Sequence, residues 1–286
     1  MRILHLDAGK EMRGGQWQVL RLIEGLAAEG VESTLLARKD APLFTEAYKR
    51  GWRVLPLGIT RALACLRTHD LIHAHDARSH TLGAFIRNLP LVVSRRVSFP
   101  VGSRWKYGRA RRYLAVSEFV KNVLMQGGVP EEKITVVYDG VPILDVARGR
   151  QILGLEKDSS LLGHMGLKIV NDLERELTDA AMLVYITNSE GLGSGALLAM
   201  SAGVPVIASN VGGLPEIIRH GENGLLVEND PEAIRHAIRE LQDDPERARR
   251  IGDAARHTVM ERFTVQQMVR RTMEVYQRAA TVRERP

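Results

Sequence analysis

Glu190, Gly191, Gly193 and Ser194 stand in the stretch SEGLGSGALLAM, residues 189–200, directly after the apolar run AAMLVYI at 180–186. An apolar run that ends in one carboxylate and then Gly191, Gly193 and Gly195 describes a buried strand turning sharply into a helix. The start of such a helix offers unpaired backbone N–H groups and the positive end of the helix dipole, which together suit a diphosphate. Glu190, at the strand tip, is placed either to accept hydrogen bonds from sugar hydroxyls or to cap the helix, and the residues alone leave both readings open. Gly212, Gly213 and Glu216 follow the next apolar run, VPVIAS, in the same manner. Near the N-terminus Gly14 and Gly15 precede a helix, either for close approach of backbone to a ligand or for a plain tight turn.

A second group of reactive types lies in HAHDARSH, which carries His73, His75, Asp76 and His80 after the apolar run LI. Its alternatives are a metal site, a polar loop facing a substrate, and structural histidines. A metal set lacks its second His/carboxylate cluster at ligand spacing. Arg95 and Arg96 follow the run PLVVS. Cys65 stands alone, so there is no internal disulfide framework, and a lone free cysteine reads as a small buried hydrophobe before it reads as a nucleophile.

These residues need strand ends to hold them. RILHLD reads as a strand, KEMRGG as a loop, and QWQVLRLIEGLAAEG as an amphipathic helix with Trp17, Leu20, Ile23, Leu26 and Ala27 on one face. VESTLLAR follows as a strand, which completes a βαβ unit. The alternation continues to EKITVVYDGV. The stretch DGVPILDVARGRQILGLEKDSS, residues 139–160, reads as a passage between domains. Alternation restarts at LLGHMG, followed by a helix VNDLERELTDAA, the strand MLVYI and further units to a last helix TVQQMVRRTMEVYQRAA. Short apolar strands alternating with helices predict parallel sheets covered on both faces, with ligands beyond the carboxyl ends of the strands. With 286 residues the chain has room for two modest α/β domains and a cleft between them.

Composition narrows the class. Hydrophobic residues make up 44% and charged residues 26%, ordinary for a globular protein, and no run is long and apolar enough to span a bilayer. The N-terminal MRILHLDAGK carries an Asp where a signal peptide is apolar, so it reads as the first strand. The net charge of +6 suits anionic partners. Much of the excess sits at 94–113, where Arg95, Arg96, Arg104, Lys106, Arg109, Arg111 and Arg112 mix with Trp105, Tyr107 and Tyr113. That mixture is either a solvated face or a surface for an anionic acceptor or lipid headgroups. No helix-turn-helix, zinc-finger or RNP pattern accompanies it, which argues against nucleic acid.

The block SEGLGSGALLAMSAGVPVIASNVGGLPEIIRHGENGLLV, residues 189–227, strongly resembles the hallmark region of the family 4 (group 1) glycosyltransferases, retaining enzymes of the GT-B fold. The GG before the first helix, VSEFVKNVL, VVYDGV and the terminal helix resemble that family in the same order. The resemblance implies two Rossmann-like domains: an acceptor-side domain at 1–145, a nucleotide-sugar donor domain at 146–262, and a helix at 263–286 crossing back to the first. It implies that Glu190 touches the donor sugar as a catalytic residue, and that Gly191, Leu192, Gly193 and Ser194 form the turn near the donor phosphates. Gly212, Gly213 and Glu216 match a second donor loop, and Gly14 and Gly15 match the loop of the first domain that faces the donor. His75, His80 and Arg95 fall on the acceptor side. No metal and no cofactor are implied, the nucleotide sugar being a substrate, and no Asp-x-Asp motif is present.

Three departures stand out. The second glutamate of the family's pair is replaced by Leu198, which cannot hold a ribose hydroxyl. Arg96 stands where many members have a histidine; it can hold an anion in a catalytic role but cannot copy a neutral imidazole. LLGHMG runs directly into LKIVNDLERELTDAA, without the basic segment that grips the diphosphate, and Lys168 has no motif to place it there. At ~30 residues per βαβ unit, on the order of 60 residues are absent, so a shortened C-terminal domain is expected. The expected function is transfer of a sugar from a nucleotide-diphosphate sugar to a hydroxyl of a glycan or glycolipid acceptor, such as a lipopolysaccharide or surface-polysaccharide precursor. The expected place is the cytoplasm at the inner face of the membrane, with peripheral membrane contact through residues 104–113. The alternative is a non-catalytic scaffold that binds nucleotide, glycan or a protein partner, a shortened sheet leaving an edge for a homodimer. A metallohydrolase built on His73 and His75 stands third.

Overall fold

The computed structural model describes residues 1–145, 149, 151–157, 162, 167–170 and 173–281. The chain divides into two units, Met1–Tyr138 with Val265–Pro286, and Asp139–Thr264.

The first unit alternates strand and helix as β1 (Arg2–Leu6), α1 (Gly14–Ala28), β2 (Glu32–Ala37), α2 (Pro42–Lys49), β3 (Val54–Pro56), α3 (Ile59–Cys65), β4 (Leu71–Ala74), α4 (Ala77–Phe85), β5 (Leu91–Arg95), α5 (Arg104–Arg109), β6 (Arg112–Ala115), α6 (Glu118–Gln126) and β7 (Ile134–Val136). Its seven strands are parallel in the order β3-β2-β1-β4-β5-β6-β7. The strand order reverses between β1 and β4, the position at which open α/β sheets leave a crevice beyond the strand ends. Polar side chains start the helices that follow. Asp76 caps α4 through Arg78 N and Ser79 N, and Ser117 caps α6 through Val120 N.

The second unit holds β8 (Gln151–Lys157), β9 (Lys168–Ile169), α7 (Leu173–Glu176), β10 (Ala180–Thr187), α8 (Ser194–Ser201), β11 (Val206–Ser209), α9 (Leu214–Ile217), β12 (Leu225–Val227), α10 (Pro231–Asp243) and α11 (Pro245–Arg262). Among the described residues its strands are parallel in the order β12-β11-β10-β8-β9. Met182, Val184, Ile186, Ile207 and Leu225 pack there with Ile234, Ile238 and Leu241 of α10. The last helix, α12 (Val265–Thr281), packs in the first unit, where Val275 and Tyr276 join Ile3, Leu22, Leu26, Leu71 and Val92. At Gly25 of α1 an added Cβ would lie 2.5 Å from Val269 of α12, so a glycine lets these two helices approach.

Two expectations are corrected. The stretch 139–160 is not only a passage between domains: Gln151–Lys157 forms β8, paired with β10 over most of its length, because Ile152, Leu153 and Leu155 supply an apolar strand. Among the described residues, the helix expected over 170–181 shrinks to α7 and a 3-10 turn at Leu177–Asp179. Ala180 already pairs with Gln151, so the strand claims residues that a longer helix needs. LLGHMG, expected as the first strand of this unit, lies outside the described residues apart from the buried Leu162. Among the described residues no helix is long and apolar enough to cross a membrane.

Candidate functional site

In the second unit the expected donor residues converge. Tyr185 of β10 is fully buried, and its hydroxyl donates to Glu190 Oε2. The other carboxylate oxygen, Oε1, accepts from Gly191 N at 3.0 Å. Both carboxylate oxygens of Glu190 are thus held at the tip of β10. The N-cap of α8 is Gly193, in the left-handed region with φ 102°, and a glycine brings no capping side chain of its own. The first N–H groups of α8 thus meet no side-chain acceptor from the cap, and an anion is their natural complement. Ser194 is half-buried at this end. Leu192 is 2% exposed, so its side chain serves the core.

Gly212 and Gly213 bring a second loop onto the first, backbone against backbone. Gly213 N donates to Glu190 O at 3.2 Å. A Cβ on Gly212 would fall 2.0 Å from Glu190 O, and one on Gly213 2.1 Å from Gly191 O. Only glycines fit at this contact. Glu216, half-buried, follows in α9. Leu198 is buried at 6% exposure within α8, an apolar side chain where the family places an acid.

Sequence reasoning missed the polar set beneath these loops. Thr187 N donates to Ser209 Oγ at 2.9 Å, Ser209 Oγ donates to Asn229 Oδ1 at 2.6 Å, and Asn229 Nδ2 donates to Thr187 O at 2.9 Å. This closed ring ties the carboxyl ends of β10 and β11 to the segment after β12. Its only sequence signal is a polar residue at each strand end, which is too common to single out.

In the first unit the candidates sort differently. Gly14 opens α1, and neither Gly14 nor Gly15 has a positive φ. A Cβ on Gly15 would meet nothing within 4 Å, so neither a strained turn nor packing inside the chain demands glycine there. Asp7, just beyond β1, accepts from Gly9 N at 2.8 Å and from Gln16 Nε2 at 3.2 Å. Burial, and then the neighbouring Asp76, push its carboxyl up to about 6, against the pull of Gly9, Gln16 and Arg96. Asp76 also accepts from Ala8 N at 2.6 Å, which ties the loop after β1 to the start of α4. Arg96 stands half-buried just past β5, where it acts on the charge of Asp7, His73 and His75.

His75, His80 and Arg95, expected to face an acceptor, are buried at 6%, 2% and 7% exposure. Arg95 Nη1 donates to Tyr107 Oη at 2.6 Å, and Nη2 donates to Phe99 O. His80 packs edge-on against Tyr107 and Tyr113. His75 joins His5 and His73 in a buried trio whose ligating atoms lie within 4.8 Å of one another. Their ring nitrogens are largely committed: His5 Nδ1 pairs with His75 Nε2 at 2.9 Å, His5 Nε2 with Ser33 Oγ at 3.2 Å, and His73 with Tyr276 Oη at 2.6 Å and Ser94 Oγ at 2.8 Å. The trio contains no carboxylate, and the Arg96 guanidinium acts on it, so the set reads as a neutral stack holding α12 to the sheet through Tyr276.

That stack gives the fold an acid limit. Burial lowers His5 to about 3, His80 to about 4, and His73 and His75 well below the ordinary value of 6.5. A histidine lowered in the folded state contributes stability that is complete above about pH 6.5 and is lost as pH falls towards its folded value. Each costs about 1.4 kcal/mol per pH unit over that window. Asp7 runs the other way: its raised carboxyl adds stability below about pH 6 and offsets one histidine. The melting temperature should therefore fall steeply between pH 6.5 and pH 4.5. A flat profile over that range would mean that the histidines take up protons inside the fold.

Comparison with known proteins places this arrangement. Residues 12–143 match the family Glycosyltransferase Family 4, and residues 151–258 match Glycosyl transferases group 1. The α-maltose-1-phosphate synthase of Mycolicibacterium smegmatis is 38% identical over 115 residues, 37% of this chain and 30% of that protein. The N-acetyl-α-D-glucosaminyl L-malate synthase of Bacillus anthracis is 29% identical over 147 residues, 51% of this chain and 37% of that protein. The matched stretch thus spans about a third of the length of these relatives. In fold, the chain is similar to Anabaena HepE, crystallised in complex with UDP-glucose, with a TM-score of 0.83 at 16% identity, covering 97% of this chain and 100% of that one.

Proposed function

The chain belongs to the family 4, group 1 glycosyltransferases, and from that premise we propose that it moves a sugar from a nucleoside-diphosphate donor to a hydroxyl of a glycan or glycolipid acceptor. The observation that carries this reading is the loop pair of the second unit. The turn at residues 190–192, which leads into α8 through Gly193, is held backbone-to-backbone against Gly212 and Gly213, with the Glu190 carboxylate at the strand tip.

The N–H groups at the start of α8 stabilise the diphosphate as it departs, where fixed donors act without reorganising. In this reading the charge of the leaving group is met by a helix end and basic side chains, with no metal, and transfer proceeds with retention. Glu190 accepts from hydroxyls of the donor sugar and fixes its orientation, which is the term that positioning contributes to rate. Gly14 and Gly15 allow a ligand close to the start of α1. Arg96 supplies the cationic group of the first unit, against the acceptor or a phosphate. The acceptor is borne by a lipid at the cytoplasmic face of the membrane, a reading supported by the basic, aromatic segment 104–113.

The test is calorimetric titration of the full chain with UDP, GDP and ADP and the matching nucleotide sugars. Saturable binding of one base, tightened by the right sugar, is the expected result. No binding at millimolar nucleotide would overturn the donor site. Leu198 favours a second reading, because this buried apolar side chain offers no acceptor to a ribose hydroxyl. In that reading the chain binds nucleotide or glycan without turnover, and sustained transfer to any acceptor removes it.

A further inference from the structure

Between Asp76 and Glu118 the chain has nine lysines and arginines and no acid. The whole chain carries +6, so the remainder is net acidic and the cationic charge is concentrated here. The same segment contains every exposed Phe and Trp among the described residues: Phe85 at 64%, Phe99 at 68% and Trp105 at 46%, with Val97 at 40% beside them. α4 and α5 are successive right-handed crossovers in one direction along the sheet, so they cover the same face. The ring of Phe85 lies 5.0 Å from that of Trp105, and the Arg109 guanidinium sits over Trp105 at 5.7 Å. The strip runs from the carboxyl end of β5, at Phe99, to its amino end, at Arg87.

At the foot of the strip a cleft of about 810 Å³ opens, lined by Arg87, Arg109 and Arg111 together with Asp70, Asn88 and Pro90. Asp70 accepts from the backbone N of Arg2 at 2.8 Å. Three guanidinium groups at one cleft suit phosphate, since the planar fork matches phosphate oxygens. A soluble anion would need only the arginines. Exposed aromatic rings interleaved with the cations are what a bilayer interface recognises, the rings settling at the headgroup level while the charges meet anionic lipid.

We propose that this face of the first unit docks on an anionic bilayer, with a headgroup phosphate held by Arg87, Arg109 and Arg111 and with Phe85, Phe99 and Trp105 entering the interface. The docking stands apart from sugar transfer: a chain that turned over no donor would still bind vesicles. It rests on the lipid-facing reading of residues 104–113 given above and extends that contact to the end of α4 and the loop after β5.

Co-sedimentation of the full chain with vesicles of phosphatidylcholine, with and without phosphatidylglycerol, tests it. Binding should require the anionic lipid. At about 1 kcal/mol, or fivefold, per cation at the surface, the Arg87→Gln/Arg109→Gln pair should weaken it on the order of 25-fold. Both side chains are exposed, so the pair should leave the melting temperature unchanged. Tryptophan emission should shift to the blue on binding, and Trp105→Phe should remove the shift. Equal binding to both vesicle types, an unaffected double variant, or no emission shift would overturn the proposal. Displacement by millimolar inorganic phosphate would identify a free-anion cleft instead, and retention on RNA without vesicle binding would identify a nucleic-acid surface; either sinks the bilayer reading.

Discussion

Alanine at Gly212 will lower the stability of the second unit by about 3 kcal/mol or more and abolish nucleotide binding. Two costs add. Gly212 has φ 58°, where a side chain is disfavoured by roughly 1–2 kcal/mol. Its new Cβ would also stand 2.0 Å from the carbonyl oxygen of Glu190, and a backbone atom cannot rotate out of the way. The loop at 189–193 must then separate from the loop at 210–213, taking the Glu190 carboxylate and the start of α8 with it. Thermal denaturation and UDP titration of the variant read the two effects together. Gly15→Ala is the matching control: its Cβ meets nothing within 4 Å, so stability should hold while any loss of binding or transfer reports a ligand approaching that loop. Wild-type melting and binding in Gly212→Ala would refute the loop contact.

The parallel sheets and the glycine-bearing strand ends were legible because their signals are local. A strand such as AAMLVYIT buries both faces, so it is one apolar run, and Gly193 and Gly212 mark backbone conformations other residues resist. What escaped is non-local. Nothing in GLEKDSS states that Gln151–Lys157 pairs with β10, since the partner lies beyond residues that carry no pairing signal. His75 and His80 looked like a substrate-side loop because their spacing matches one. Their burial follows from distant partners, His5 against His75 and the rings of Tyr107 and Tyr113 against His80. Arg95 is the same case: a cation after a strand reads as a ligand holder until the hydroxyl of Tyr107 closes on it. Tyr185 read as one more apolar residue of a strand, and only the fold shows its hydroxyl reaching Glu190.

Glu190→Gln should lower kcat/KM for sugar transfer by about 100-fold while leaving both stability and UDP affinity close to wild type. The amide keeps the size of the side chain and one acceptor oxygen, so either the Tyr185 hydroxyl or Gly191 N still finds a partner. What it loses is the negative charge, and charge-assisted hydrogen bonds are about twice as strong as neutral ones. If those bonds go to sugar hydroxyls, the loss falls on the nucleotide sugar and the transfer step, and UDP alone does not register it. Tyr185→Phe separates contact from positioning: it removes the donor that holds Oε2, costs about 1 kcal/mol, and should reduce transfer roughly fivefold with UDP affinity again unchanged. Should Glu190→Gln weaken UDP and UDP-sugar equally, the carboxylate would be acting through the shape of the loop. Should transfer continue at the wild-type rate, Glu190 would have no part in the reaction.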